Sequence, residues 1–299
     1  MFQMSLIDEI RERGVIISDG AMGTMLQRHG MPTGICPEMM NIEMPDVVKG
    51  ITADYIRAGA VLVETNTFGA NRFILKKYGL DGRLLEINRA GVRLAKEAAE
   101  ETSENGTDIL VFASLGPAGV FLEPLGDVSK RELATAVGNQ VEALKDAGAA
   151  GICVETMSDL TEARITIEMV KNSGLECMAL MCFAPSPRGY YTMMGVNIEQ
   201  SIPVLIDAGA DVIGAGCGVG SSDMINIAKE FRSLTEHPLA MHPNAGNPEY
   251  RDGKISYPES PESFADAAKE ITDIGVNIVG GCCGTTPEHI AAVCSILSQ

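Results

Sequence analysis

The feature that most constrains the fold is a regular alternation of short apolar runs with longer amphipathic segments along the chain. The runs are rich in β-branched residues and only a few residues long, as buried strands are, whereas the segments between them have helical spacing. Eight runs are predicted as strands: Val15–Ser18, Val61–Thr65, Leu110–Leu115, Gly151–Glu155, Cys177–Cys182, Val212–Ala215, Leu239–His242 and Asn277–Val279. Strands that alternate with helices predict a parallel sheet of the α/β class.

The connections repeat a short sequence motif that supports this alternation. Ala-Gly-Ala precedes the second, fourth and sixth predicted strands, and Ile274-Gly275 precedes the eighth. Each glycine closes a predicted helix and leads into a strand, as at many helix C-termini. The main predicted helices are Pro45–Ala58, Leu84–Thr102, Lys130–Asp146, Leu160–Asn172, Ile198–Asp207, Ser222–Leu234 and Glu262–Ile274, with a further one beginning near Pro287.

Eight strand–helix units in 299 residues match a (β/α)8 TIM barrel, whose usual length is ~250 residues. An open doubly wound sheet is the alternative, but no Gly-x-Gly-x-x-Gly follows the first strand, which weakens its dinucleotide-binding version. No linker rich in Pro, Gly or Ser divides the chain, so residues 1–299 are predicted to form a single domain.

Composition disfavours several classes of function. The net charge of −17 argues against a nucleic-acid partner, because nothing in the chain would neutralise phosphates. No apolar stretch reaches the roughly 20 residues that span a bilayer, and the N-terminal residues lack the apolar core of a signal peptide. We therefore expect a cytoplasmic location and no membrane, with the eight cysteines serving metal binding or reactivity rather than disulfides.

Two adjacent cysteines in a glycine-rich turn carry the strongest chemical signal. Cys282 and Cys283 are flanked by glycines and follow the last predicted strand. Neighbouring side chains on a regular strand point to opposite faces, so these thiols converge only if the glycines let the backbone bend. A third glycine-flanked cysteine, Cys217, follows the sixth strand. Both turns fall at the C-terminal rim of the predicted barrel, where barrel enzymes place their chemistry.

Three thiolates from two turns predict a zinc site whose fourth position is open, as in catalytic zinc sites. Coordination ionises a substrate thiol and leaves it nucleophilic, which suits alkyl transfer to or from sulfur. Hydrolysis by zinc-bound water is the weaker alternative, since the four histidines show no metal-ligand spacing. The other interpretation makes the three cysteines small buried core residues, the common role of unpaired cysteine.

The remaining cysteines are predicted to take no part in the chemistry. Cys153 and Cys177 lie in apolar strands, Cys294 lies on the last helix and Cys36 lies in a loop. Cys182 ends the fifth strand, where it could line a pocket, but no pattern marks it as a ligand.

Two carboxylates are predicted at strand ends on the same rim. Asp19 opens the glycine-rich turn Asp19–Thr24, and Glu155 closes the fourth strand. Such a pair could bind a substrate ammonium group, while the N–H groups of the helix after Asp19 could bind a substrate carboxylate. Together these groups would recognise an amino acid. The alternative is that Asp19 is a helix N-cap and Glu155 a surface loop residue.

The chain resembles the homocysteine S-methyltransferase family, and most closely the homocysteine-binding barrel of cobalamin-dependent methionine synthase. The likeness lies in segments spread over the whole chain, the last of them very specific: Asp19–Thr24, Glu64–Ala70, Leu115–Pro117, Glu155-Thr156, Pro243–Gly246 and Gly280–Pro287.

The resemblance implies a zinc (β/α)8 barrel with Cys217, Cys282 and Cys283 as the metal ligands. It implies that Asp19 and Glu155 bind the amino group of homocysteine and that the Gly20 and Ala21 backbone lies near its carboxylate. It also implies a substrate contact at Asn244. The implied activity is zinc-dependent S-methylation in methionine biosynthesis. Homocysteine would react as a zinc thiolate, and the methyl group would come from methylcobalamin on a corrinoid protein or domain.

Three positions depart from the family pattern near the expected pocket: Gly216 stands where Asn is common, and Cys182 and Met194 stand where Thr is usual. They leave open a corrinoid-system methyltransferase for another thiol or methylated substrate. A homocysteine methyltransferase with a sulfonium or betaine donor is a further alternative, disfavoured by an aromatic content of 5% without Trp. A non-catalytic zinc- or thiol-binding barrel is the last.

Full methionine synthase continues into folate-binding, cobalamin-binding and reactivation domains, which do not fit in this chain. The resemblance therefore implies either a fragment of such a protein or a separate enzyme that docks with a corrinoid protein.

Overall fold

A computed structural model describes residues 5–102, 108–251 and 254–298, and within them it confirms the predicted (β/α)8 barrel. The predicted domain limits, residues 1 and 299, lie outside the described residues. The barrel strands are β1 (Ile16–Ile17), β2 (Leu62–Glu64), β3 (Leu110–Leu115), β4 (Gly151–Met157), β5 (Glu176–Met181), β6 (Val212–Gly220), β7 (Leu239–Asn244) and β8 (Ile278–Val279).

The eight strands of the described sheet are all parallel and follow the spatial order β1-β8-β7-β6-β5-β4-β3-β2. The two ends of this order meet through backbone hydrogen bonds. Asp19 N donates to Leu62 O at 3.0 Å, and Val61 N donates to Ile17 O at 2.9 Å. These contacts close the sheet, so the C-terminal ends of all eight strands surround one mouth.

All of the predicted helices are present, with ends that differ by one residue at most, and they pack around the sheet: Pro45–Arg57, Leu84–Thr102, Lys130–Asp146, Leu160–Asn172, Ile198–Asp207, Ser221–Leu234, Pro261–Asp273 and Pro287–Leu297. Shorter helices that the sequence analysis did not predict are Leu6–Arg13, Gly23–Arg28, Met40–Glu43 and Arg72–Lys77, with 3-10 turns at Pro37–Met39 and Asp81–Arg83. Two antiparallel hairpins were also missed: Ala184–Ser186 with Gly189–Tyr191, and Glu249–Arg251 with Lys254–Ser256.

The unpredicted helix Leu6–Arg13 closes the N-terminal end of the barrel. The Ser5 side chain caps it by accepting a hydrogen bond from Asp8 N at 3.1 Å. Leu6 and Ile10 are buried among residues of the barrel interior. The Leu6 N–H also donates to both carboxylate oxygens of Glu176, at 2.8 and 2.9 Å, which anchors the helix at the start of β5.

The inward-facing side chains of the strands form two regions of opposite character. The lower region, which we call the apolar floor, comprises Ile16, Leu62, Leu110, Phe112, Cys153, Met178, Leu180, Val212, Ala240 and Ile278. Because side chains alternate along a strand, the next inward positions toward the mouth are two residues further on, or four in β6, where Gly214 intervenes. We call them the polar layer: Ser18, Glu64, Ser114, Glu155, Cys182, Gly216, His242 and Gly280.

In the parts of the chain that the structure describes, no helix combines the length and the hydrophobicity that crossing a bilayer requires.

Candidate active site

The mouth of the barrel contains a cavity of about 240 Å³ above the polar layer. All three predicted metal ligands line it, and so do Asp19, Gly20, Ala21 and Glu155. Glu64, Ser114 and His242 of the polar layer line it as well. The structure therefore brings almost the whole predicted site together around one cavity.

The three predicted metal ligands form a compact cluster. The sulfur atoms of Cys217, Cys282 and Cys283 all lie within 4.8 Å of one another, and they form the one such group of three or more candidate ligands among the described residues. Zn–S bonds of about 2.3 Å in a tetrahedral arrangement bring sulfurs to roughly 3.8 Å from one another. The cluster is therefore close to the size that a zinc ion needs, with ligands of the soft kind that zinc prefers.

The turn that carries Cys282 and Cys283 is bent as the glycine pattern predicted. Gly284 has a φ of +85°, and a Cβ there would lie 2.2 Å from the Tyr257 ring. The turn is fixed to the loop after β7, since Cys282 N donates to Pro243 O at 2.7 Å and Ala245 N donates to Cys283 O at 3.0 Å. Glycine is thus required here both for the backbone conformation and for space.

Cys217 reaches the cluster through a distortion of β6. Ile213 and Ala215 of that strand pack on the outer side of the sheet, so regular alternation would also turn Cys217 outward. Instead Cys217 has a φ of +62°, and the pairing of β6 with β7 shifts between Gly216 and Gly220. A left-handed non-glycine residue costs about 1–3 kcal/mol, and such residues cluster at functional sites.

The predicted ammonium-binding carboxylates line the wall of the same cavity. Asp19 accepts hydrogen bonds from Glu64 N at 2.7 Å and from Ser18 Oγ at 3.3 Å. The helix that follows has Met22 as its N-cap, so the alternative role of Asp19 as a cap is wrong. Glu155 lies within β4, where Ser114 Oγ donates to it, and is not a surface loop residue.

Glu64 and His242 are site residues that the sequence analysis did not assign. They are neighbours across the cavity floor, with His242 Nδ1 3.6 Å from Glu64 Oε1. Glu64 belongs to a segment that carried the family resemblance, but no role followed from that. The available signal was the phase of the strands, since each residue lies two positions after an inward-facing residue of the floor, Leu62 or Ala240.

Burial shifts the pKa values of the titratable side chains around this cavity. Burial, together with repulsion from Glu155, raises the pKa of Asp19 to about 8. Burial raises the pKa of Glu64 well above its usual range, and the charges of Glu155 and Asp19 add to the effect. The pKa of Glu155 is raised by burial too. Burial lowers the pKa of His242 to about 4, so this imidazole is neutral at neutral pH.

The carboxylates have no basic counterpart at the cavity. No Lys or Arg occurs among the described residues that line it. Burial and mutual repulsion both favour the protonated carboxyls, and attraction to an entering cation opposes both effects. The wall is therefore suited to a ligand that carries its own positive charge.

The turn after Asp19 is linked to the cysteine turn. Ala21 N donates to Thr285 Oγ1 at 3.0 Å, and Thr285 Oγ1 donates to Cys282 O at 2.7 Å. Tyr55 supports the same turn, since its hydroxyl donates to Ala21 O at 2.9 Å. The Ala21 N–H is therefore engaged within the protein. That the Gly20 and Ala21 backbone lies near a substrate carboxylate remains a prediction.

Four other residues named from the sequence lie outside the lining of this cavity. Asn244 ends β7 and is buried, and its Oδ1 has no hydrogen-bond partner among the described residues. Met194 lies in the turn after the Gly189–Tyr191 strand. Gly216 sits in the wall of the barrel, and the sulfur of Cys182 lies so close to Gly218 that a Cβ on that glycine would be 2.9 Å from it. The substrate contact of Asn244 remains a prediction.

Comparison with known proteins shows the family of the chain. The model of the family described as homocysteine S-methyltransferase matches residues 16–297. The chain belongs to the homocysteine S-methyltransferase family. Proteins named methionine synthase from Mycobacterium leprae and Mycobacterium tuberculosis are both 31% identical over 100% of this chain. The chain spans 25% and 26% of their respective lengths.

Solved structures support the fold. The metallated form of the homocysteine methyltransferase MmuM from Escherichia coli superposes with a TM-score of 0.82 at 22% identity, covering 97% of this chain and 99% of that one. The carboxyl transferase domain of Rhizobium etli pyruvate carboxylase superposes less closely, with a TM-score of 0.53 at 14% identity. At these identities the likenesses show the barrel fold alone.

Proposed function

We propose that this family member is a zinc-dependent enzyme that methylates the thiol of homocysteine, with methylcobalamin on a corrinoid protein or domain as the donor. The observation that carries the proposal is a cluster of three thiols that shares one cavity with three largely buried carboxylates. Homocysteine has a thiol for the cysteine cluster and an ammonium group for the carboxylates.

Cys217, Cys282 and Cys283 would hold the zinc ion, because their sulfurs already lie within 4.8 Å of one another. Zinc bound by three thiolates retains a position for one more ligand. A zinc ion there would supply Lewis acidity, which lowers the pKa of a substrate thiol so that it is ionised near neutral pH. The protein contributes the fixed turns that place the ligands, and the distortion at Cys217 is part of that contribution.

Asp19, Glu64 and Glu155 would bind and orient the amino acid. An ammonium group between them would relieve the repulsion that raises their pKa values. Fixing the ammonium at one wall and the sulfur at the other restricts how the substrate lies in the cavity. Such positioning can contribute several kcal/mol to catalysis, because the sulfur is held where the methyl donor must approach.

The donor side of the proposal rests on relatives and on the surface of the rim. The matched proteins from Mycobacterium are named methionine synthase, and this chain spans about a quarter of each. Methylcobalamin on that partner would supply an electrophilic methyl group for transfer to the substrate sulfur. A cofactor of that size is brought to the mouth by a protein, so the rim must offer a docking surface.

Exposed apolar side chains are concentrated on that rim. Met193, Tyr250, Leu125, Ile255 and Phe121 are 86%, 76%, 72%, 67% and 59% exposed. They lie in the segments that follow the C-terminal ends of β5, β7 and β3, and therefore surround the mouth. Exposed apolar residues gathered at one face are typical of protein-interaction sites. This distribution supports docking of a corrinoid protein or domain over the cavity.

The test supplies zinc-loaded protein with homocysteine and, in parallel, methylcobalamin, a small sulfonium and betaine as donors, and measures methionine. We expect methylcobalamin to support turnover, Cys283→Ser to abolish it, and Cys294→Ser on the last helix to leave it unchanged. Turnover with the sulfonium or betaine alone would reassign the donor. No methionine from any donor would favour a non-catalytic zinc- or thiol-binding barrel.

A further inference from the structure

Strand β4 contains one residue more than β5 at the level of the polar layer. Val154 and Met157 both pack on the outer side of the sheet, although two residues rather than one separate them. The pairing of β4 with β5 shifts between the same two residues. Glu155 and Thr156 therefore form a β-bulge opposite the inward-facing Leu180, and both line the cavity. A bulge of this kind re-aims a side chain that regular alternation would turn outward.

The bulge requires an unfavourable backbone conformation at Thr156. Its φ is 60°, in the left-handed region, where a β-branched residue is rare. Cys217 is the other non-glycine residue with a positive φ in the described chain, and it lines the same cavity. At Cys217 the distortion brings a thiol to the three-cysteine cluster. Because backbone strain of this size persists mainly at functional sites, we expect the side chain of Thr156 to have a role there as well.

The Thr156 hydroxyl is available to a ligand. It has no hydrogen-bond partner among the described residues. The cavity lies in front of it, so a bound molecule can reach it. The other hydroxyl and side-chain amide groups of the lining already have partners within the protein: Thr24, Thr65, Asn66 and Ser114.

An amino acid in this cavity needs a neutral hydrogen-bond donor for its carboxylate. No Lys or Arg lines the cavity among the described residues, and the Ala21 N–H already donates to Thr285 Oγ1. The ammonium and carboxylate groups of an α-amino acid are bonded to the same carbon atom. A substrate whose ammonium group lies at Glu155 therefore has its carboxylate close by, and Thr156 is the next residue along the chain.

We infer that the Thr156 hydroxyl donates a hydrogen bond to the substrate carboxylate and so selects amino-acid thiols over aminothiols that lack a carboxylate. This inference rests on the proposed function and names the group that recognises the carboxylate. The two residues of the bulge then recognise the two charged groups of one substrate, Glu155 the ammonium and Thr156 the carboxylate. Thr156 determines specificity and takes no part in the methyl transfer.

The test compares two thiols on the zinc-loaded full chain without a methyl donor. One is homocysteine, and the other is 3-aminopropane-1-thiol, which is homocysteine without its carboxylate. Thr156→Val keeps the size and the β-branching of the side chain and removes only the hydroxyl. Isothermal titration calorimetry should show a Kd for homocysteine that is raised about tenfold or more, because the lost hydrogen bond is to a charged group. The Kd for 3-aminopropane-1-thiol should not change.

Three further variants control for effects on folding. Thr156→Ser retains the hydroxyl and should recover most of the affinity for homocysteine. Thr135→Val removes an exposed hydroxyl on the helix Lys130–Asp146 and should bind both thiols as the wild type does. Thr156→Gly also lacks the hydroxyl and accepts a left-handed backbone, so it should show the same selective loss even if Thr156→Val does not fold.

The outcomes separate this inference from the proposed function. Equal losses for both thiols in Thr156→Val would show that Thr156 only shapes the site. No loss for either thiol would show that its hydroxyl does not contact the carboxylate. Both results overturn the inference and leave the proposed function intact, whereas a wild-type protein that binds neither thiol would overturn both.

Discussion

The apolar floor and the polar layer occupy equivalent, inward-facing positions on the same strands, yet they differ in almost every physical property. The floor consists of fully or nearly fully buried aliphatic, aromatic and sulfur side chains packed together, with the helix Leu6–Arg13 closing it from below. The polar layer, nearer the mouth on the same strands, carries carboxylates, a neutral histidine and the thiol of Cys182. The floor stabilises the barrel by burial, whereas the polar layer holds groups that would be more stable in water.

The cost of the polar layer is visible in its details. Thr156 and Cys217 both have left-handed backbones, with φ values of 60° and 62°. They lie where the pairing of β4 with β5 and that of β6 with β7, respectively, become irregular. Glu64 Oε1 and His242 Nε2 are buried without a hydrogen-bond partner among the described residues. Strain and unsatisfied polar groups gather where ligands bind, because a ligand is what completes such a site. The contrast locates function at the mouth and stability at the floor.

The sharpest test of this contrast replaces one cysteine at the mouth, above the polar layer, and one in the floor. We expect Cys283→Ala at the mouth to abolish zinc retention and activity, because two thiolates hold zinc far more weakly than three. Cys153→Ala in the floor should keep one zinc ion per chain, since Cys153 belongs to the interior cluster. Zinc content after gel filtration decides the matter. A normal zinc content in Cys283→Ala would remove the three-thiolate site.

A substitution in the floor should instead cause a large loss of stability and leave zinc binding intact. Phe112 is fully buried, and a Cβ on Gly151 would lie 2.4 Å from its ring, so the ring is tightly packed and its removal leaves a cavity. Phe112→Ala should lower the free energy of unfolding by about 3–5 kcal/mol. Denaturant unfolding of the zinc-free protein measures this loss, and the folded variant should still bind zinc. Loss of zinc binding without loss of stability would contradict the division between the regions.

An intermediate effect is expected for the carboxylate wall. Asp19→Asn removes the charge that faces the substrate ammonium, and a charge-assisted hydrogen bond contributes about 1.5–3 kcal/mol. The KM for homocysteine should therefore rise roughly 10- to 100-fold with little change in kcat. Glu162→Gln is the matched control, because Glu162 is a buried carboxylate outside the cavity that accepts a hydrogen bond from Ala118 N. If Asp19→Asn leaves the KM unchanged, Asp19 does not bind the ammonium group.

The smallest expected effect concerns the stability of the metal-free protein. The pKa of Asp19 is raised by folding, from about 3.8 to about 8, so the folded state binds more protons than the unfolded state between these values. The contribution of Asp19 to stability is therefore present below pH 4 and is lost as the pH rises toward 8. Asp19→Asn should raise the melting temperature at pH 8 by about 2 °C or more, and far less at pH 5.

The same variant should thus be more stable and less able to bind substrate, a combination that follows from the raised pKa. Thermal unfolding at the two pH values, without metal, measures the effect. A lower melting temperature at pH 8 in Asp19→Asn would show that the ionised carboxylate is stabilised by its hydrogen bonds rather than destabilised by burial.

The sequence was most informative where periodicity and glycine act locally. Residue spacing predicted the eight strands and the main helices, and the flanking glycines predicted the bend at Cys282-Cys283. The grouping of Asp19 and Glu155 with the three cysteines was predicted because parallel strands end at one rim. These features depend on neighbouring residues and on a topology with few alternatives.

What the sequence analysis missed depends on contacts between distant segments. Glu64 and His242 looked like ordinary strand residues until the closed sheet fixed which face points inward. The helix Leu6–Arg13 is short, and its position depends on a hydrogen bond to Glu176, which is far away in the sequence. Cys182 carried no motif, and its close approach to Gly218 depends on the left-handed backbone at 217 and 218, which spacing alone does not reveal.

The central claim is that the thiol of homocysteine joins the metal held by Cys217, Cys282 and Cys283. The most direct measurement is zinc X-ray absorption on the zinc-loaded full chain with selenohomocysteine, because selenium is distinguished from every cysteine sulfur, including that of Cys182. We expect one selenium neighbour at bonding distance from zinc in the wild type and in Cys294→Ser. A zinc shell with no selenium at saturating selenohomocysteine would contradict the account.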